Sequence, residues 1–459
     1  MTEAATEVLI AAGALAAIVV AACYLRGVIR VVLIVQAAHW ALSYVARPTV
    51  LLLTHPQPHF GDNIPDPRLA EFGYDDGIAA VLRHVVFGLC LYAALVVCYA
   101  IWARNRPATT PPTPFFARDP NLVPTLWALY VFGTFGRLAA VATGGTGRAG
   151  ELESPNPIIN LVTLLATLGT VGLIVFLRPK HARTTFLVIG LLMLGELLWT
   201  IQVQSKTPII GAALAVAVRF ALTGWSRRKV LAVCALSALG LAAFSRLQAL
   251  KATADAESES AVTASVYPAP VRPFLSLLRR FDLLEGATDA YYAGPSSWLS
   301  PDEVVVHMLQ SLVPAQLLGT EKFRAGAAWA EDVRGSSLDM TTVQVSLAEG
   351  NVNEGYVLGG YAGVALAVTW TFVLVVLWAR AIYSRNLVAV VLALAVIEVP
   401  VAYERGMLGS VEMLGKYLQA AVLVALIYLA VGEYRRRTGS LSAPNRRPAT
   451  GKTRAPQWL

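Results

Sequence analysis

The run Gln204-Ser205-Lys206-Thr207-Pro208 places a cation where a helix should start. Thr207 is a residue type favoured at an N-cap, and Pro208 suits the first helical position. Free backbone N–H groups, the positive end of the helix dipole and the Lys206 ammonium then converge, which is the chemistry of an anion or phosphate site. Further ionisable residues stand at the ends of apolar runs: Arg47, Arg137, Glu196, Glu398, Glu404, Arg405, Glu412 and Lys416. Charges at membrane depth are costly and often functional, although any single one reads equally well as a snorkelling or paired surface group. His307 is placed to serve as a base. Gln36, His39 and Ser43 share a helix face, and hydrogen bonding between helices accounts for them. His55, His59 and Asp62 do not complete a metal-ligand set. Ala449-Thr450-Gly451-Lys452-Thr453 mimics the end of a phosphate loop but lacks its first glycine and its strand–helix setting.

The elements that must position these groups are membrane helices. Of 459 residues, 56% are hydrophobic and 14% charged; a soluble domain carries about 25% charged residues. The apolar residues fall in runs of about 17 to 25, the length of a bilayer-spanning helix. The runs predict about eleven spans, near 8–25, 28–46, 78–102, 123–143, 158–177, 185–203, 207–223, 230–247, 359–379, 387–403 and 416–432, and so an all-α polytopic bundle. The acidic start, Met1-Thr2-Glu3, reads as the beginning of a retained helix and not of a cleaved signal. The four cysteines, Cys23, Cys90, Cys98 and Cys234, lie inside apolar runs as small hydrophobes, so no disulfide framework is read.

Charge sets the expected orientation. Arg26, Arg30, Arg104, Arg106, Arg118, Arg178, Lys180, Arg183, Arg227, Arg228, Lys229, Arg380 and Arg385 fall on alternate connections, on the same side as the basic tail. The positive-inside rule makes that side cytoplasmic and the N-terminus extracytoplasmic. The net charge of +8 is then topogenic bias plus a tail facing anionic lipid, and scattered basic residues of this kind do not make a nucleic-acid surface.

Residues 1–438 read as one membrane domain, and 439–459 as a disordered basic cytoplasmic tail. Residues 103–122 form a Pro/Thr-rich linker. Residues 248–358 form a long extracytoplasmic loop of the kind that is usually functional. Within it, Phe274, Leu277, Leu278, Phe281 and Leu284 predict one amphipathic helix on the membrane surface. Ser300-Pro301-Asp302-Glu303 predicts a capping box opening a second helix, which Pro314 ends. Gly359, Gly360 and Gly363 allow close backbone approach at the entry to the next span.

The helix start at Ser205-Lys206-Thr207-Pro208, the loop motif Arg279-Arg280-Phe281-Asp282 and the entry Glu354-Gly355-Tyr356 through Gly359-Gly360-Tyr361-Ala362-Gly363 together resemble the bacterial O-antigen and exopolysaccharide repeat-unit polymerases (Wzy-type). The architecture is similar over most of the chain, and the motifs cover about thirty residues of it. Members commonly carry Arg where this chain has Lys206, a point charge without the guanidinium fork. The resemblance implies a glycosyltransferase that needs no metal or other cofactor and takes a polyprenyl-diphosphate-linked oligosaccharide at the outer face of the plasma membrane. Membrane lipid and polysaccharide assembly proteins would be its surroundings. Lys206, Arg279, Arg280 and Arg405 are then expected to hold the departing diphosphate, with Arg137 and Lys416 as second choices. Asp282, then Glu354, then His307, is expected to take the hydroxyl proton. Tyr291, Tyr292, Trp298 and Trp329 are candidates to stack on sugar rings or to anchor at the interface. A ligase using another acceptor shares this pattern. A flippase would place its polar sites near the bilayer midplane in repeated halves, which this sequence does not show.

Overall fold

The computed structural model describes residues 2–58, 64–105, 114–144, 157–179, 181–203, 205, 207–233, 235, 267–278, 281–318, 322–335, 349–398 and 404–441. Among them every regular element is helical. The apolar runs form α1 (Glu3–Tyr24), α2 (Val28–Thr54), α4 (Tyr74–Arg104), α5 (Leu122–Ala142), α6 (Pro157–Phe176), α7 (Ala182–Val203), α8 (Thr207–Thr223), α11 (Asn351–Ala381), α12 (Leu387–Glu398) and α13 (Met407–Leu441). Shorter helices outside the spans include α3 (Pro67–Phe72), α9 (Leu283–Ala293) and α10 (Pro301–Leu312). Eight of the apolar helices are long enough to cross a membrane, while α8 and α12 are shorter. The chain is therefore a multi-pass membrane bundle. Ten of the expected spans have a helix at their position; most of the expected span at 230–247 lies outside the described residues, as do the Pro/Thr-rich stretch 106–113 and the tail from 442 onward.

The helices pack in two groups: α1, α2, α4 and α11, and α5, α6, α7, α8, α12 and α13, joined where α2 meets α8 and where α11 meets α12 and α13. Small residues set the closest approach. A Cβ on Gly133 of α5 would lie 2.6 Å from the Ala166 Cα of α6, and one on Gly169 would lie 2.6 Å from the Tyr130 nitrogen. Lipid gives no hydrophobic force between helices, so such intimate backbone contact is the main source of attraction. Large exposed side chains such as Phe135 and Phe186 point out of the bundle.

Connections bearing Arg gather at one end. The Arg104 guanidinium lies 5.9 Å over the Tyr24 ring, and that of Arg385 lies 5.7 Å over Phe115. Arg435 donates to the Pro120 carbonyl, and Tyr428 to Asp119. Arg219 donates to the Ile174 and Leu177 carbonyls at 2.7 and 2.6 Å, closing the same ends of α6 and α8. The opposite end, here the loop end, carries the starts of α1, α4, α11 and α13 together with α9 and α10.

Three elements depart from expectation. α2 does not stop near residue 46: a π-helical turn at Leu42–Ala46 carries it through Pro48 to Thr54. Proline is tolerated in the first turn after that irregularity, where its missing N–H has least effect. The single amphipathic helix expected over 274–285 is instead a short turn at Leu275–Leu278 and then α9, separated at Phe281-Asp282 with Asp282 as the N-cap residue of α9. α11 is sharply kinked at Gly359-Gly360, where Gly360 takes φ +57°, ψ −144°, a conformation open essentially to glycine alone. Residues 355 and 363 would be about 12 Å apart along a straight helix, yet a Cβ on Gly355 would lie 2.6 Å from the Gly363 carbonyl oxygen. Carbonyls near the break accept from the loop, Tyr356 from Ser296 N–H at 3.4 Å and Val357 from Ser297 N–H at 2.9 Å. The capping box of α10 forms as its sequence predicts, with the helix ending at Leu312.

Candidate functional site

At the loop end, α2, α9, the start of α11 and the start of α13 bring ionisable groups together. The His39 Nε2 on α2 lies 3.8 Å from the Glu404 carboxylate, and its ring meets Phe281 edge-on with centroids 4.7 Å apart. Phe281 precedes Asp282, which is part-buried and within electrostatic reach of Arg47, Arg334, Tyr44 and Glu349. Glu404 also anchors the segment through its backbone, whose carbonyl accepts from Gly350 N–H at 3.0 Å. Arg405 follows and faces Glu349 and Glu412. Beneath this layer Asn353 donates to the Leu283 carbonyl at 3.1 Å and to the Tyr44 hydroxyl at 3.4 Å, and its own oxygen meets His84 Nε2 at 3.4 Å.

Glu349 stands out within this cluster. It is 1% exposed, and among the described residues no other residue donates a hydrogen bond to its carboxylate. Burial pushes its pKa up to about 7, with the Arg405 charge working in the opposite direction. A buried carboxyl of this kind is held neutral in part of the physiological range.

The groups expected at the site fall into three classes. Asp282 and Arg405 lie together as described. Lys206, Arg279 and Arg280 are outside the described residues, although the helix at Thr207 begins where the sequence places it; the Ser205 hydroxyl, not Thr207, accepts from the first helical N–H, at 3.4 Å. The remaining four make other contacts, Glu354 within this same cluster. The Glu354 carboxylate is fully buried and accepts from the Met407 and Leu408 N–H groups, so it caps α13. An anionic group at a helix N-terminus satisfies orphan donors and complements the dipole. Arg137 forms a bidentate pair with Glu196 at 3.0 and 2.9 Å, donates to Thr167 at 2.7 Å and lies 5.0 Å from the Trp199 ring. Thr170 supplies another donor to Glu196 at 2.8 Å. This is a neutralised, buried network inside the α5–α6–α7 group. Lys416 pairs with Glu412 one turn away, at 2.6 Å. The His307 ring is stacked on Phe323 at 4.1 Å, and its Nδ1 is buried.

The aromatic candidates divide similarly. Trp329 is fully buried, packs edge-on against Trp298 at 5.6 Å and donates to Asp289 at 3.3 Å, so it belongs to the loop core and not to a sugar platform. Tyr292 is half exposed, with the Arg68 guanidinium 5.4 Å over its ring.

Sequence reasoning missed the hub of the loop. Asp289, completely buried, accepts from Arg68 at 2.6 Å and from Arg334 at 2.8 Å, while Arg334 also pairs with Glu285 at 3.0 Å. Burial opposes the charge on Arg68, but hydrogen bonds to Asp66 and Asp289 outweigh it and raise its pKa. Burial raises the pKa of Glu285 against the pull of Arg334 and Arg47. The partners lie 221 and 45 residues from Asp289 in the chain, and no local pattern in Leu283–Ala293 announces one. Among the described residues, no group of three or more His, Cys, Asp or Glu is placed to hold a metal.

No family model, curated protein or solved structure matches the chain.

Proposed function

We propose that this protein is a membrane glycosyltransferase of the polysaccharide-polymerase type. It works at the loop end of the bundle, with that end extracytoplasmic and the basic end and tail cytoplasmic in a bacterial plasma membrane. The substrate is an oligosaccharide on polyprenyl diphosphate. The observation that carries the reading is the juxtaposition of the His39–Glu404 pair, Asp282 and Arg405, drawn from α2, the N-cap of α9 and the segment before α13. The motif resemblance adds Lys206, Arg279 and Arg280 to the cationic set.

In the reaction, a sugar hydroxyl oxygen of one lipid-linked chain attacks the anomeric carbon of another. The bond from that carbon to the diphosphate breaks and polyprenyl diphosphate leaves. Asp282 takes the hydroxyl proton, or His39 does so with Glu404 stabilising the imidazolium. Arg405 with the Arg279-Arg280 pair holds the negative charge that develops on the leaving group. Glu354, Arg137 and Lys416 move from the reacting set to the framework, since each is already engaged by other groups, and His307, stacked on Phe323, stays a third choice of base.

The test is turnover by the purified protein in liposomes supplied with a polyprenyl-diphosphate glycan and no energy source. Product chains should lengthen, and Asp282→Asn and Arg405→Ala should each slow lengthening about 100-fold. Transbilayer movement without lengthening would make the protein a flippase and end the proposal. Equal rates for both variants and the unmodified protein would remove the site assignment.

A further inference from the structure

Helix α10 is turned the wrong way for a segment in water. Val304, His307, Met308 and Ser311 face the protein, and two of these four are polar. Val305, Val306, Leu309 and Leu312 face away, 40–60% exposed, and Leu317 just beyond is 75% exposed. A helix at a protein–water boundary buries its aliphatic stripe and exposes the polar one. A contiguous aliphatic face left outside marks a surface that meets something other than water.

The place where α10 sits identifies the other surface. α10 packs on α13, and the contact centres on Gly415: a Cβ there would lie 2.9 Å from the Ser311 carbonyl carbon and would overlap its oxygen. Leu418, Val422, Leu426 and Leu429 follow Gly415 at intervals of three or four residues, so they share its helix face. Those four are 39–66% exposed within a candidate membrane span. α10 therefore rests on the face of α13 that turns to lipid lower down, and its own aliphatic side continues that surface. The charges are arranged to match. Asp302 and Glu303 are at the exposed N-terminal end of α10 in the capping box. Lys322 reaches back to the Ser311 carbonyl at 3.2 Å, and Lys416 and Glu412 pair at the depth of the contact.

We propose that α10 is an interfacial helix whose Val305, Val306, Leu309 and Leu312 face is seated in the bilayer leaflet at the loop end. This part of the loop is then a membrane-bound collar on α13 and not a lid in water. Helices of this type lie with the apolar face sunk about 5–10 Å into the headgroup–acyl boundary. The inference rests on the membrane bundle alone and is independent of the transfer reaction.

Spin labels test it in the full chain. Single cysteines replace Val306, Leu309, Asp302 and, as a lipid-facing reference, Val422, with the four native cysteines changed to alanine. The protein is placed in nanodiscs of phosphatidylcholine and phosphatidylglycerol, and each label's collision rate is compared between oxygen and a water-soluble nickel chelate. Labels at 306 and 309 should favour oxygen as the Val422 label does, and the Asp302 label should favour nickel. Nickel-favouring labels at 306 and 309 would place the face in water and overturn the proposal. Protection from both reagents would overturn it too, by showing a protein partner or a second copy on the face. If either label prevents folding, Val305 and Leu312 on the same face give the same readings.

Discussion

Glu349 shows what one side chain can do to the molecule's energetics. Its carboxyl has a pKa of about 7 in the folded chain and an ordinary value of 4.5 when unfolded. Below pH 4.5 both states hold the proton and Glu349 has no differential effect. As the pH rises toward 7 the unfolded chain loses its proton first, so the native state becomes progressively less favoured. Above 7 the penalty is constant, on the order of 3 kcal/mol. Glu349→Gln should therefore raise Tm at pH 8 and leave it nearly unchanged at pH 4.5, as measured by thermal unfolding in detergent. An equal gain at both pH values would mean that Glu349 is not held neutral. Little of this was legible in the sequence, because residue 349 precedes Gly350 in what reads as a polar loop. The charges that act on it, Arg405 and Asp282, come from distant segments. His39 is similar. Its face, shared with Gln36 and Ser43, was readable, but Gln36 accepts from Tyr92 at 2.6 Å while His39 turns to Glu404. Asp282, Arg405 and Glu354 are expected site residues that the fold also brings into one neighbourhood around Glu349, with Glu354 spent on capping α13.

Among the elements, α11 has the most specific requirements. Gly363 meets the Gly355 carbonyl because of the kink, whereas a Cβ on Gly359 meets nothing within 4 Å and its φ of −164° is ordinary extended backbone. Gly363→Val should leave little monodisperse protein on size exclusion, and Gly359→Ala should behave as the unmodified chain does. Equal tolerance of both would remove the close contact. The sequence showed the glycines and their use for backbone approach, but not the folding back. Span positions were readable from hydropathy because a run of apolar residues has one favourable solvent. Span ends were not: α13 begins at Met407, nine residues before the expected 416, since the Glu354 carboxylate from another helix satisfies its first N–H groups. The break at Phe281-Asp282 was hidden too. Helical spacing continues through it, so periodicity carries no sign of the break.

For the whole molecule, the prediction concerns sidedness. The fold brings the Arg-bearing connections to one end and Asp282, Asp289 and Glu404 to the other. Cysteines introduced at Ser226 and Ser384 should be labelled by an impermeant maleimide only after cells are opened, and those at Ser297 and Arg334 in intact cells. The opposite pattern would invert the proposed orientation, and a mixture at one end would break the alternation itself. The all-α bundle was fully legible, because composition and run length leave the backbone no alternative in lipid.

The Arg137–Glu196 pair has a consequence for how such a chain is made. α5 is the least apolar of the eight long spans, with mean hydropathy 1.3, and it carries the arginine. Its counter-charge lies 59 residues later, on α7. Synthesis must therefore pass through a stage in which a guanidinium near the end of α5 has no carboxylate partner, at a cost below the roughly 3 kcal/mol of a lone charge at mid-bilayer. α5, α6 and α7 are thus obliged to leave the insertion machinery as one set, and the order of the helices along the gene doubles as a timetable for their partition into the lipid.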